Sequence, residues 1–206
     1  KLPVTEDTPF KTAESPYGNT KQICEEIIQD VAHVNSDLNF IALRYFNPVG
    51  AHESAEIGEL PLGVPANLVP FITQTAAGIR KELSVFGNDY DTPDGTAVRD
   101  YIHVVDLAEA HVKAMDRMTG KNQKQNYEYF NVGTGNGSSV LEVIETFERV
   151  TNQKLSYKIV DRRPGDVVKI YANTDLANKE LGWKASKGLD QMMADAWRWQ
   201  QKVSNI

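Results

Sequence analysis

The sequence predicts an α/β fold. Three observations lead there: apolar residues recur at helical spacing in several segments, short and mostly apolar runs fall between those segments, and Gly/Pro/Asn/Asp clusters separate the two. Helical and extended segments alternate along the chain, the order expected when helices cover a largely parallel sheet. No internal repeat and no linker divides the 206 residues.

Residues 1–14 read as loop. Ser15 followed by Pro16 starts a helix, serine as N-cap and proline at the first helical position. Ile23, Ile27, Val31 and Val34, flanked by Cys24 and Ile28, carry it to about Asn35. Cys24 falls on that apolar stripe, where a buried, inert thiol is expected. Phe40–Phe46 is a short apolar run suited to a buried parallel strand. A Gly/Pro-rich loop runs to about Pro65, and a helix covers about Asn67 to Ile79 with Pro70 in its first turn. Leu83–Gly87 is a strand, residues 88–96 are turn-formers throughout, and a helix spans about Val105 to Met118. A strand at Tyr127–Val132 precedes Ser139 and Glu142, whose spacing is that of a capping box opening a helix to about Thr151. A strand at Leu155–Val160, a Pro164-Gly165 turn, a helix near Thr174–Leu181 closed by Gly182, and a last helix from about Leu189 complete the reading.

Bulk properties exclude several functions. A formal charge of −6 and a composition 41% apolar and 24% charged fit a globular protein and not a phosphate-backbone binder, so no nucleic-acid partner is expected. No apolar run approaches the ~20 residues that span a bilayer, so no membrane partner is expected either. One cysteine leaves no internal disulfide and suits a reducing, cytoplasmic setting.

Chemistry enters with Tyr17-Gly18-Asn19-Thr20-Lys21, which sets a phenol and an ammonium at i and i+4 on one helical face. A nearby cation favours the phenolate, which suits general acid/base work. On its own the pair reads as a surface contact, since the spacing arises by chance on many helices. The helix followed by the strand ending Arg44-Tyr45-Phe46-Asn47-Pro48 resembles the extended short-chain dehydrogenase/reductases. Gly50-Ala51-His52, Gly63–Leu68, Val85–Tyr90, Val98–Val104, Arg162–Asp166 and Trp197–Gln200 are similar, in order and spacing, to the UDP-glucose (UDP-galactose) 4-epimerase family.

This resemblance implies NAD as cofactor, a UDP-sugar as substrate and a homodimer. It also implies that the chain starts within a domain, at Lys1 without a methionine, and lacks the amino-terminal NAD-binding part with its Gly-x-x-Gly-x-x-Gly loop. Residues 1–47 would then be the remnant of the dinucleotide-binding domain, and 48–206 the UDP-sugar domain, with 126–140 returning to the Rossmann-type sheet. Tyr17 matches the catalytic acid/base, Lys21 the lysine that also holds the nicotinamide ribose, and Phe46 a residue lining the nicotinamide site. Asn47, Asn67, Leu68, Ser84, Val85, Phe86, Arg99, Arg163 and Asp166 match UDP-sugar contacts. Ile170 matches a residue that faces the hexose and limits its size. Forked guanidinium donors suit a diphosphate, although Arg99 and Arg163 taken alone read as surface charges. Ala66 departs from the family, which often has a second asparagine there. Other readings compatible with the sequence are another NAD-dependent nucleotide-sugar epimerase or dehydratase, and a non-catalytic nucleotide-sugar-binding module.

Three further features are read as structural. Gly133-Thr134-Gly135-Asn136-Gly137 has the wrong glycine spacing for a dinucleotide loop. His103, Asp106 and His111 do not share a helical face as metal ligands would. Trp183, Trp197 and Trp199 are expected to pack.

Overall fold

The computed structural model describes residues 2–13 and 15–205. In chain order the elements are α1 (Pro16–Val34), β1 (Phe40–Tyr45), β2 (Asn47–Val49), α2 (Leu68–Ala76), β3 (Leu83–Phe86), β4 (Val98–His103), α3 (Val104–Thr119) and β5 (Tyr127–Val132). They continue with β6 (Gly137–Ser139), α4 (Val140–Thr151), β7 (Tyr157–Val160), β8 (Lys169–Ile170), α5 (Asp175–Leu181) and α6 (Leu189–Ser204). Helix starts follow the sequence signals. Ser15 accepts from the Gly18 amide at 3.1 Å with Pro16 behind it, and Ser139 and Glu142 form a complete capping box on α4.

The strands form three groups. β1 and β5 are parallel, Phe40 opposite Tyr127 through Tyr45 opposite Val132. β3 and β7 form a second parallel pair. β4 is the hub of the third group: its last three residues run parallel to β2, while its first half pairs antiparallel with β6 and parallel with β8. Sequence patterning does not announce β2, β4, β6 or β8. β4 carries Arg99, Asp100 and His103 among six residues, so it lacks the apolar run of a buried strand, yet Asp100 and His103 are fully buried. β6 and β8 are too short to show any periodicity.

Two apolar cores meet at β4. Ile72 of α2, Val85 of β3, Phe147 of α4 and Met193 and Trp197 of α6 build the first, with Phe147 and Trp197 edge to face at 5.7 Å. Phe130 and Val132 of β5, Leu107 and Ala110 of α3, Leu181 of α5 and Trp183 build the second. Tyr101 belongs to the first and its neighbour Ile102 to the second, as alternation along a strand requires.

Helix α1 is tied to β1 through Arg44. Arg44 of β1 grips Glu25 through Nε at 2.8 Å and Nη2 at 2.7 Å, and donates from Nη1 to the Glu6 carbonyl at 2.9 Å. Its guanidinium sits against the rings of Tyr129 and Phe10, 4.3 and 5.0 Å from their centroids. The Tyr127 hydroxyl donates to Glu25 as well, and burial beside that carboxylate pushes the phenol up to about 12. The stripe with Ile23, Ile27 and Val34 therefore faces outward, and Cys24 is exposed with it. This corrects the expectation of a buried thiol: the polar Glu25 binds the sheet, and the apolar stripe is only half-buried at Ile28 and Val31.

The loop between β2 and α2 is stapled to α6. Trp199 Nε1 donates to the Glu59 carbonyl at 2.8 Å, Arg198 to that of Glu53 at 2.9 Å, and Lys202 pairs with Glu56. Trp199 lies so close to Gly58 that an added Cβ would stand 2.4 Å from its Cγ. Gly58→Ala is therefore expected to destabilise the fold by about 1–3 kcal/mol, read as a lower urea midpoint with an unchanged slope. A midpoint equal to that of the wild type would show that the staple yields freely.

Candidate functional site

A cavity of about 510 Å³ opens where β2, β3, β4 and the start of α2 converge. That volume suits a small organic ligand. β2 contributes Asn47, β3 contributes Ser84 and Phe86, and β4 contributes Arg99 and Tyr101. Asn67 and Leu68 enter from the first turn of α2, and Arg163 and Asp166 from the turn after β7. Eight of the residues expected to contact a UDP-sugar thus line one cavity.

The charges there are arranged as a linked pair. Asp166 Oδ1 accepts from Arg163 Nη2 at 3.0 Å and from Arg99 Nη2 at 3.3 Å. Arg99 is the better held of the two, its Nη1 also donating to the carbonyls of Val98 at 2.9 Å and Val167 at 2.5 Å. Its side chain is 17% exposed against 57% for Arg163, which lies 5.6 Å from the Phe86 ring centroid. Asn67 is the N-cap of α2, yet its side chain makes no capping bond; its Nδ2 donates instead to Glu59 at 3.1 Å. The first-turn amides of α2 thus stand uncapped at the cavity edge, in a geometry that favours an anion.

The other expected residues lie elsewhere. Val85 does not face the cavity: it is 1% exposed in the first core, because alternation on β3 sends Ser84 and Phe86 to one face and Val85 to the other. Ile170 stands beside Arg99 in the β4–β8 ladder and is not part of the lining. Tyr17 is 70% exposed on α1, with Lys21 Nζ 5.0 Å from its ring centroid. Phe46 is half-buried between β1 and β2, its amide bonded to the Val132 carbonyl at 3.1 Å. Tyr101 lines the cavity without having been singled out in the sequence. Its spacing of two from Arg99 would have indicated it, had Val98–His103 been legible as a strand.

The family model described as GDP-mannose 4,6 dehydratase matches residues 1–196. The chain belongs to that family. It is 52% identical over 204 residues to the UDP-glucose 4-epimerase of Drosophila melanogaster, a match covering 99% of this chain and 58% of that protein. With the UDP-glucose 4-epimerase of Bacillus subtilis it shares 50% over 203 residues, 98% of this chain and 59% of the relative. Among solved structures, UDP-glucose-4-epimerase from Stenotrophomonas maltophila, with bound NAD and formylated UDP-arabinopyranose, superimposes with a TM-score of 0.95 at 48% identity. The enzyme from Bifidobacterium longum, in complex with NAD+ and UDP, gives 0.93 at 49%. Each superposition covers 100% of this chain and 60% of the other. The resemblance to UDP-glucose 4-epimerases therefore runs the length of the chain, which spans about three fifths of these relatives, and the α/β fold is shared with them.

For this family member, the glycine-rich turn at 133–137 is occupied by its own carboxylate. Asp100 accepts from the amides of Thr134 at 2.9 Å, Gly135 at 3.0 Å and Ala172 at 3.1 Å, and from the Thr134 hydroxyl at 2.6 Å. No amide pair is left there to cradle a phosphate. His103 is likewise engaged: Nδ1 accepts from the Val105 amide at 3.0 Å and Nε2 lies 3.1 Å from Asp195. Burial holds its imidazolium form below the usual range, against the pull of Asp195. Among the described residues no group of three or more His, Cys, Asp or Glu could hold a metal ion, and no helix is long and apolar enough to cross a membrane.

Asp100→Asn exchanges one acceptor oxygen for a donor among four donors. It is expected to destabilise the fold by about 2–3 kcal/mol, measured by urea unfolding. Unchanged stability would mean that the four bonds are made as well by the amide.

Proposed function

We propose that these residues form the carboxy-terminal part of an NAD-dependent enzyme that interconverts UDP-galactose and UDP-glucose through a 4-keto intermediate. One observation carries the reading. Arg99, Arg163 and the open first turn of α2 converge on a single cavity, in a chain about half identical throughout to UDP-glucose 4-epimerases.

The lining divides the work. Eight residues matched to UDP-sugar contacts line the cavity, whereas Tyr17, Lys21, Phe46 and Ile170, matched to the nicotinamide and hexose, lie outside its lining. In this reading the guanidinium pair takes the diphosphate, with Asp166 keeping the two forks together until a ligand hydroxyl shares its carboxylate. Tight binding at the remote nucleotide leaves the hexose free to turn over between its two faces. Tyr17 holds and moves the proton of the sugar 4-hydroxyl. Lys21 fits the cofactor by chemistry: an exposed ammonium one turn from the phenol can donate to ribose hydroxyls. NAD, when bound, supplies a reversible hydride acceptor.

The enzyme is further read as a cytoplasmic homodimer without nucleic-acid or membrane partners. The single thiol supports the cytoplasm, the acidic charge speaks against a nucleic-acid partner, and the outward apolar residues Ile23, Ile27 and Val34 of α1 support pairing through that helix.

Conversion of UDP-galactose to UDP-glucose by the complete NAD-loaded protein tests the activity, and release of a 4-keto-6-deoxy sugar would instead identify a dehydratase. Tyr17→Phe should lower turnover by ~10²–10⁴-fold with little change in UDP affinity. A variant with most of its activity would remove Tyr17 as proton carrier. At the hexose end, isoleucine is smaller than tyrosine but stiff at χ1, and exclusion by one apolar side chain is graded, about 1–3 kcal/mol per methylene-sized difference. UDP-galactose should therefore be preferred, with weaker turnover of UDP-N-acetylgalactosamine, and Ile170→Tyr should widen the ratio of kcat/KM between them. An unchanged ratio would show that Ile170 does not limit the sugar.

A further inference from the structure

Helix α1 carries Tyr17, yet little apolar packing holds it. Of its 19 residues, Ala32 is the one buried among those described. Polar bonds hold the helix instead. The Arg44–Glu25 pair is bidentate and mostly enclosed, its two side chains 21% and 14% exposed. The same guanidinium donates to the Glu6 carbonyl and lies against the Phe10 ring, and both of these residues precede the helix. Arg44 thus grips the chain on either side of Tyr17, upstream at Glu6 and downstream at Glu25. Glu6 is itself anchored: its carboxylate accepts from the Asn131 amide at 2.8 Å, and nearby Val4 shares backbone bonds with Tyr171 and Asn173. Those two residues follow β8, whose Ile170 stands opposite the cavity residue Arg99. The frame of the cavity and the frame of α1 are therefore joined through Arg44.

We infer that Arg44 is a positioning residue for Tyr17: its grip on Glu25 and Glu6 fixes the roll and height of α1, and so the place of the Tyr17 hydroxyl relative to the cavity. The inference rests on the reading of Tyr17 as proton carrier and adds how that group is held. The phenol has little packing of its own, being 70% exposed with the Lys21 ammonium 5.0 Å from its ring centroid. Its position is therefore that of the helix, and Glu25 lies about 12 Å further along the axis at about 1.5 Å per residue. A guanidinium fork fixes orientation as well as distance, whereas an ammonium is a point charge on a flexible stem. Proton transfer is sensitive to such placement, and a displacement of about 1 Å can cost ~10²-fold in rate. Nucleotide binding is insulated from it, because Asn67, Arg99 and Arg163 stand on other elements.

The test is Arg44→Lys in the complete NAD-loaded enzyme, alone and combined with Tyr17→Phe. Alone, the change keeps the cation and loses the fork, and kcat should fall ~10–100-fold. The dissociation constant for UDP should stay where it is. In the Tyr17→Phe background the same change should lower kcat little further, because the group it positions is already gone. An unchanged kcat for Arg44→Lys overturns the inference. So does an equal loss in both backgrounds, or a weakening of UDP in step with kcat, since either marks general damage to the fold. Full activity of Tyr17→Phe by itself refutes the reading of Tyr17 on which the inference stands, and it is seen before Arg44 is touched. Should Arg44→Lys fold poorly by near-ultraviolet circular dichroism, Glu25→Gln decides in its place. It removes the charge from the other side of the pair while keeping the shape, and the same cycle is read by the same outcomes.

Discussion

A buried carboxylate with no cation paired to it among the described residues sets the frame of this molecule. Asp100 is fully enclosed, and its partners are three amides and one hydroxyl drawn from the 133–135 turn and from Ala172. An ionised carboxylate in such surroundings costs several kcal/mol unless its lone pairs are met. The turn after β5, the end of β8 and the middle of β4 must therefore come together at once or not at all. Once Asp100 is committed to that side, the pleat leaves Arg99 and Tyr101 no choice but the other, where the cavity is.

The same strand separates two kinds of electrostatics. Behind it, charges are satisfied within the chain: Asp106 accepts from the Ser186 and Lys187 amides and the Ser186 hydroxyl, and Arg117 binds Glu128 and Glu180 with 8% of its side chain exposed. In front of it, two arginines share one oxygen of Asp166, and a helix start is left uncapped. Surface pairs of the Arg163–Asp166 kind contribute little to stability. Their cost is low enough for a ligand to replace them.

Elements with strong local signals were legible in the sequence. The Ser15-Pro16 start of α1, the capping box of α4 and the Gly182 end of α5 each follow from one or two residues acting on their neighbours. β4 was illegible because its polar residues are explained only by distant partners: Asp100 by residues 34 to 72 positions away and His103 by Asp195. Cys24 misled for a related reason. A stripe at helical spacing shows that a helix has an apolar face, but not that the described chain covers it. At the cavity, Arg99 and Arg163 as bare charges said nothing; the resemblance singled them out, and the fold brought them to one carboxylate.

The junction between β1 and β2 is one residue long. β1 pairs with β5 through Tyr45, Phe46 continues that ladder with its amide, and Asn47 already belongs to the group built on β4. Because side chains alternate with period two, a residue gained or lost here would turn Asn47, Pro48 and Val49 inside out relative to β4. No loop exists at this point to absorb the error. Whatever the side chain at Phe46, the length of the chain there is fixed by the two ladders it joins.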